Sequence, residues 1–182
     1  MNMFRTISRT MSRTMSQTMS RLFYYLPVLV MLGLPAEAFA NQKLGGVLLS
    51  PDGEARGVFT LTQAPGGLLV TAKLKNMPEG QHAFHLHANP SCADSFNAAG
   101  GHYNPKGDPH GYFSGKSFHL GDMPNIHVGK SGQLKIENFI HGLILSSNMP
   151  RPGTLIIHAG GDDYISQPSG AAGTRIACGV IE

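Results

Sequence analysis

The chain has 182 residues and carries 14 Lys and Arg against 11 Asp and Glu, a formal net charge of +3 at pH 7. Four of the arginines and one glutamate lie within residues 1–40, so residues 41–182 balance 10 basic against 10 acidic residues, which argues against a nucleic-acid partner. Residues 41–182 are enough for one domain with a single core, and they contain all nine histidines.

Residues 1–40 are predicted to be a removable signal peptide. Basic residues precede the apolar run Leu22–Leu34, and Ala38-Phe39-Ala40 has the small-residue pattern of a cleavage site. The apolar run of 13 residues is shorter than the about 20 that a membrane-spanning helix needs. A mitochondrial transit peptide is the alternative, because Arg9–Arg21 is rich in Ser and Arg and lacks acidic residues. The apolar run favours export, without stable membrane insertion of the mature domain, residues 41–182.

The rest of the chain is typical of short β-strands separated by turns. No segment has a sustained helical stripe, and Gly, Pro and Asp turns recur between the apolar runs. We therefore expect an all-β fold, an antiparallel sandwich or barrel. The predicted strands are Gly45–Ser50, Gly57–Thr62, Leu69–Leu74, Ala83–His87, Gln133–Phe139, Thr154–His158 and Arg175–Ile181.

Two long stretches interrupt this strand pattern. Residues 89–132 are rich in Gly, Pro, Asn and His, and residues 159–174 are small and polar. Long irregular loops on a compact β domain are usually functional or disordered. The first stretch contains too many potential metal ligands to be a mere spacer.

The strand Ala83–His87 predicts a pair of metal ligands. Side chains alternate along a strand, so Phe84 and Leu86 share the core face while His85 and His87 share the other face, about 7 Å apart. That separation suits two ligands of one ion, although a single histidine at such a position is more often structural.

Further ligands follow in the first long loop and at a later strand end. His102, His110, His119 and Asp122 form a nitrogen and oxygen set that suits Zn²⁺. His158 ends its predicted strand and can return to the sheet near the first pair, and imidazole suits copper as well as zinc. Each histidine alone has a structural alternative, but the whole set indicates metal binding.

Cys92 and Cys178 are the only cysteines. In an exported chain they predict one disulfide, which would close a loop of about 87 residues and stabilise the fold by about 4–5 kcal/mol on the loop-entropy account. Two buried free thiols are the alternative.

Several segments resemble copper–zinc superoxide dismutases. Ala83–Cys92 resembles the first sequence motif of that family, and Gly170–Ile181 resembles the second. Segments 100–105, 119–122 and 158–164 match between them, so the resemblance covers nearly all of Lys43–Glu182. The short interval from His87 to Cys92 and the string HAGGDDY at 158–164 are similar to the bacterial exported branch.

The resemblance implies a Greek-key antiparallel β-sandwich or flattened barrel, immunoglobulin-like, with two long functional loops. It also implies a copper and a zinc ion that share His102 as a bridging ligand. Asp162 would link His85 to His110, Arg175 would receive an anionic substrate, and Cys92 would pair with Cys178. The implied copper ligands are His85, His87, His102 and His158, and the implied zinc ligands are His102, His110, His119 and Asp122.

The implied reaction converts two superoxide ions and two protons to O₂ and H₂O₂, with Arg175 and His102 as catalytic residues. Lys106 and Lys116 would add positive charge for substrate steering, but residues 159–174 lack Lys, so we expect weaker loop-based steering than in family members whose loop contains Lys. The sequence departs from the family pattern at Ala83, Pro90 and Ala171 and in the long connection 138–153, but at no ligand position.

Some questions stay open. A copper-binding or copper-delivery module without enzyme activity is one alternative, and a zinc hydrolase is another, although the closed set of zinc ligands argues against the hydrolase. The oligomeric state is not readable from one chain, and a homodimer is one possibility. His82, His127 and His141 match no implied role and are interpreted as surface or structural residues, with His127 kept as a candidate accessory site.

Overall fold

A computed structural model describes residues 43–145 and 150–182, so the predicted signal peptide lies outside the described residues. Within them the regular structure is almost entirely β, and none of their helices is long and apolar enough to cross a membrane. A single short 3-10 turn lies at Asn97–Ala99. The strands are β1 (Lys43–Leu49), β2 (Ala55–Ala64), β3 (Gly67–Leu74), β4 (Gly80–His82), β5 (Phe84–His87), β6 (Ile126–Val128), β7 (Leu134–His141), β8 (Thr154–His158) and β9 (Arg175–Val180).

Seven strands form one curled antiparallel sheet in the order β5-β8-β9-β1-β2-β3-β7, and β4 pairs with β6 separately. The ladder between β1 and β9 is short, because its only paired residues are Leu49 and Cys178. The sheet therefore divides into a β1-β2-β3-β7 half and a β5-β8-β9 half around a common core. This arrangement confirms the prediction of an all-β antiparallel flattened barrel.

The core follows from the alternation of side chains along the strands. In β2, Phe59 and Leu61 are buried, whereas Val58, which points to the opposite face of the sheet, is exposed. In β3, Leu68 and Val70 face the same interior, because antiparallel pairing brings like faces together. Phe84, Leu86, Leu155 and Ile157 from the other half join the same apolar cluster, so both halves bury one core.

All seven predicted strands overlap observed ones, but β4 and β6 were not predicted. Ile126–Val128 lies inside the stretch that the sequence pattern marked as irregular, and three residues are too few to show alternation. Gln81 and His127 are paired across these two strands. This small ladder joins the end of the first long loop to the residues that precede β5.

The strand β5 carries histidines into the interior. Phe84 and Leu86 face the core as predicted, yet His85 and His87 are also fully buried. The reason is that the long loop covers their face of the sheet: single β-bridges join His85 to Asp122 and His87 to His102. On the other side β5 pairs with β8, which sets Phe84 opposite Ile157.

Candidate metal centre

Two groups of side chains could each hold a metal ion. Within each group the ligand atoms, one from each residue, all lie within 4.8 Å of one another, and every member is buried. His102 belongs to both groups, so the two sites are adjacent. The first group is His85, His87, His102 and His158, and the second is His102, His110, His119 and Asp122.

In the first group, hydrogen bonds fix which ring nitrogen is left for a metal. His87 donates its Nδ1–H to the main-chain oxygen of Gly100 at 2.9 Å, and His158 donates its Nδ1–H to Gly173 at 3.1 Å. Both rings keep a lone pair on Nε2. His85 is held the other way, with its Nε2–H donated to Asp162 at 2.8 Å, so its Nδ1 carries the lone pair.

The second group gathers around one carboxylate. Nδ1 of His102 lies 2.7 Å from Oδ1 of Asp122, and Nδ1 of His119 lies 3.2 Å from the same oxygen. Nδ1 of His110 lies 3.0 Å from the other carboxylate oxygen. Gly111 also donates its main-chain N–H to Asp122 at 3.0 Å, which fixes the carboxylate against the loop.

Asp162 connects the two groups through hydrogen bonds to one histidine of each. Its two oxygens accept the Nε2–H of His85 at 2.8 Å and of His110 at 3.0 Å, and its side chain is fully buried. Asn125 holds the main chain of Asp162 with two hydrogen bonds, donating to its carbonyl at 2.8 Å and accepting from its N–H at 2.7 Å. A buried carboxylate held in this way fixes the orientation of both rings.

Burial keeps the rings neutral, which is the state that binds metal. Burial lowers the pKa of His87 to about 2 and of His158 to about 3. It also lowers the pKa of His102 to about 4, partly offset by the hydrogen bond to Asp122.

Hydrogen bonds keep the carboxyl groups of Asp162 and Asp122 ionised, although both groups are buried. Burial alone would raise the pKa of Asp162, but the hydrogen bonds from His85 and His110 outweigh it and set that pKa at about 2. The pKa of Asp122 is also held well below its usual range, because hydrogen bonds from His102, His119 and Gly111 outweigh the cost of burial.

The orphaned nitrogens of these rings fit bound cations. Among the described residues, five buried ring nitrogens have no hydrogen-bond partner, and each would cost about 1–3 kcal/mol if left unsatisfied. A cation between the rings would satisfy them, and a donor set of imidazoles with one carboxylate suits zinc and copper. The five atoms are Nδ1 of His85, Nε2 of His87, Nε2 of His102, Nδ1 of His110 and Nε2 of His158.

A hollow of about 370 Å³ opens onto the first group and includes Arg175 in its lining. The guanidinium donates to the main-chain oxygens of Phe96 and, at 2.6 Å, of Gly100. Burial lowers the pKa of Arg175, yet a guanidinium remains charged at neutral pH. His87, His102 and His158 line the same hollow, so an anion that enters it meets a cation and the histidine cluster together.

Cys92 and Cys178 form the predicted disulfide, with Cα atoms 5.9 Å apart. The bond ties the start of the first long loop to β9, the strand that begins at Arg175. Phe96 and Gly100, whose carbonyls hold Arg175, lie shortly after Cys92 in that loop. The cross-link therefore fixes both the cation and its acceptors.

The structure separates the remaining predicted residues from the centre. Lys106 and Lys116 are exposed and line no part of the Arg175 hollow. His127 and His141 are exposed and belong to neither ligand group. His82 is buried and structural, with Nδ1 at 2.9 Å from the carbonyl of His158 and Nε2 at 3.0 Å from that of Pro78.

Sequence reasoning missed the residues that support the centre through the main chain. Asn125 gave no signal, because its amide acts on the backbone of Asp162, far away in sequence. Gly170 was included in the second motif without a role, yet a Cβ at this residue would lie 1.8 Å from Oδ1 of Asp162. Its positive φ of 68° is a further sign that only glycine fits.

An antiparallel β fold with two adjacent, buried, histidine-rich sites defines a binuclear metalloprotein. The family model described as copper/zinc superoxide dismutase (SODC) matches residues 55–181, and the chain belongs to that family. A protein named superoxide dismutase (Cu-Zn) 2 from Aquifex aeolicus strain VF5 is 36% identical over 159 residues, 83% of this chain and 93% of that protein.

Two further relatives agree with this assignment. A superoxide dismutase (Cu-Zn) from Legionella pneumophila is 40% identical over 135 residues, 72% of this chain and 81% of that protein. The solved structure of Cu/Zn superoxide dismutase from Brucella abortus matches with a TM-score of 0.67 and 31% identity, over 78% of this chain and 100% of that one. The chain thus spans nearly the full length of its bacterial relatives.

Proposed function

We propose that this protein is a superoxide dismutase that converts superoxide to O₂ and H₂O₂ in antioxidant defence outside the cytoplasm. The observation that carries the proposal is the position of His102. Its Nδ1 faces Asp122 in one ligand group while its Nε2 lies in the other, beside the hollow that contains Arg175. Family membership supports the same reaction.

The proposed ligands follow the two groups, with the four-histidine group for copper and the group that contains Asp122 for zinc. An all-imidazole set suits a redox-active copper, and a set with one carboxylate suits zinc, which changes no valence. The lone pairs left on His85, His87 and His158 by their hydrogen bonds support the first assignment. His102 would be a ligand in both sites, and Asp162 holds His85 and His110 at fixed orientation.

The chemistry that copper supplies when bound is the transfer of one electron to or from each superoxide in turn. Arg175 binds the anionic substrate, because its charge faces the hollow and its guanidinium is held by two carbonyls. Nε2 of His102 would hold a proton from solvent whenever it is not a metal ligand, and would give that proton to the peroxide that forms in the second half-reaction. Asp122 keeps the other nitrogen of the ring in place during both halves.

We also propose that residues 1–40 direct export and are removed, so that the mature protein starts at Asn41 in the periplasm. A disulfide persists in oxidising compartments, and the Cys92–Cys178 bond supports this location. Intact-mass analysis of the periplasmic fraction of a bacterium that expresses the full chain tests this. A mass that starts before residue 41, or protein found only in the cytoplasm, would contradict it.

Metal analysis and a superoxide assay test the enzyme proposal. The mature protein refolded with both metals should contain about one copper and one zinc per chain and consume superoxide. His102→Ala should lower the content of both metals, whereas His127→Ala, an exposed histidine outside both groups, should lower neither. Full metal content without superoxide consumption would instead identify a copper-binding module.

A further inference from the structure

We infer that Arg151, in the long connection before β8, captures the anionic substrate on its way to the metal centre. The inference rests on the proposed function. It adds a second cation, besides Arg175, near the path by which the substrate reaches the metal centre. Arg151 is exposed, and no carboxylate of the described residues lies within salt-bridge distance of its guanidinium. The sequence singled out this connection as longer than the family pattern, without giving it a role.

Arg151 lines a second hollow of about 370 Å³ beside the first. His102 and Asn104 line both hollows, so the two meet at the edge of the bridging histidine. One hollow contains Arg175 and the other contains Arg151. An anion that enters beside Arg151 is therefore in a hollow that adjoins the one containing Arg175.

The backbone around Arg151 is attached to residues of the centre. The hydroxyl of Tyr103, next to His102 in sequence, donates to the main-chain oxygen of Pro150. Gly153 donates its N–H to the carbonyl of His87 at 2.8 Å. A Cβ at Gly153 would lie 2.1 Å from the backbone of Asn89, so the connection passes the ligand loop in close contact. These contacts fix the main chain on both sides of Arg151, while its side chain is exposed to solvent.

A single cation near the metal centre has a large effect on anion attraction, because the charges of residues 41–182 otherwise balance. Residues 41–182 carry equal numbers of acidic and basic residues, so no net charge attracts anions from a distance. No acidic residue lines either hollow, and Lys106 and Lys116 line neither. A unit charge about 10 Å away raises the local concentration of a monovalent anion in water by about two-fold. Arg151 and Arg175 therefore place one positive charge in each of two adjoining hollows that no acidic residue lines.

The test compares Arg151→Glu with Lys135→Glu in the copper- and zinc-loaded protein. Both variants change the net charge equally, but Lys135 lies on β7 beside an outer hollow that shares no residue with the two at the centre. Pulse radiolysis measures the second-order rate constant with superoxide from about 10 mM to about 1 M salt, where the Debye length falls from about 30 Å to about 3 Å. Arg151→Gln serves as a milder variant.

At low salt we expect about a four-fold loss for Arg151→Glu, about two-fold for Arg151→Gln and little change for Lys135→Glu, with all rates converging at high salt. The dissociation constant of azide, titrated by visible absorption, should rise by similar factors. Equal effects of Arg151→Glu and Lys135→Glu, or no effect of either, would overturn the inference. A wild-type protein that fails to consume superoxide overturns the proposed function instead, and the azide titration then still decides the role of Arg151.

Discussion

Arg175 and His87 donate hydrogen bonds to the same acceptor, the main-chain oxygen of Gly100. Nη2 of Arg175 lies 2.6 Å from that oxygen, and Nδ1 of His87 lies 2.9 Å from it. The carbonyl therefore couples the position of the Arg175 guanidinium to the orientation of the His87 ring. Arg175 also donates to the main-chain oxygen of Phe96, so its planar guanidinium contacts two carbonyls of the first long loop.

This shared acceptor predicts that Arg175→Lys is not a conservative change. Lysine keeps the charge but cannot bridge two carbonyls in the fixed geometry of a guanidinium. We expect kcat/KM for superoxide to fall about ten-fold, equivalent to about 1.4 kcal/mol, with copper content unchanged. Arg56→Lys is the control, because Arg56 also donates to a main-chain oxygen, that of Asn76, outside the hollow. An unaltered rate in Arg175→Lys would refute the coupling.

Asp162→Asn should weaken zinc binding. His85 and His110 bond to different oxygens of Asp162, and in Asn one of these becomes an NH₂ group, so one ring N–H would face a donor instead of an acceptor. Loss of such a supporting carboxylate typically costs about 10–100-fold in metal affinity. Chelator competition measures the zinc affinity. Asp163→Asn is the matched control, because the carboxylate of Asp163 is exposed and, among the described residues, accepts hydrogen bonds from Ile165 and Ser166. Similar losses of zinc affinity in both variants would contradict this prediction.

Gly170→Ala should displace the same carboxylate by steric contact. The added methyl group would lie 1.8 Å from Oδ1 of Asp162 and 2.7 Å from Nε2 of His110, at a residue with positive φ. We expect zinc affinity to fall at least about ten-fold and the free energy of unfolding to fall by about 1–3 kcal/mol. Gly129→Ala is the control: a Cβ at Gly129 would have no atom within 4 Å, so this change should alter neither the zinc affinity nor the free energy of unfolding. Denaturant unfolding and zinc titration of both variants decide the matter.

The metal-free protein should lose stability as the pH falls below about 6.5. His87 and His158 have folded-state pKa values of about 2 and about 3 because they are buried, against about 6.5 in the unfolded chain. Between these values the unfolded state binds more protons, so the free energy of unfolding falls with decreasing pH. Each residue contributes at most about 1.4 kcal/mol per pH unit, and contributes nothing above about pH 6.5.

Urea unfolding of the chelated protein at several pH values from about 7.5 to about 4.5 measures this dependence. His158→Gln should reduce the slope, because glutamine removes one buried titrating ring. A free energy of unfolding that stays constant across this range would show that the rings are not buried in the neutral state in the metal-free protein.

The strands and the grouping of the candidate ligand residues were predictable because side-chain type carries their signal. Alternation of apolar residues located β2 and β3, and the alternating histidines of β5 placed two ligands on one face. The contacts made by main-chain atoms were not predictable. The carbonyl of Gly100 has no side chain to mark it, and Asn125 acts on a backbone 37 residues away. Full burial of His85 followed from the loop that covers it, which strand periodicity does not describe.

The pairing of β5 with β8 has a consequence for how the protein matures. His85 and His87 are made early, but the ring of His158 joins them only after β8 has been synthesised and paired with β5. Arg175 and Cys178 come later still in the sequence. A growing polypeptide therefore lacks the complete four-histidine group until β8 has been made and has paired with β5.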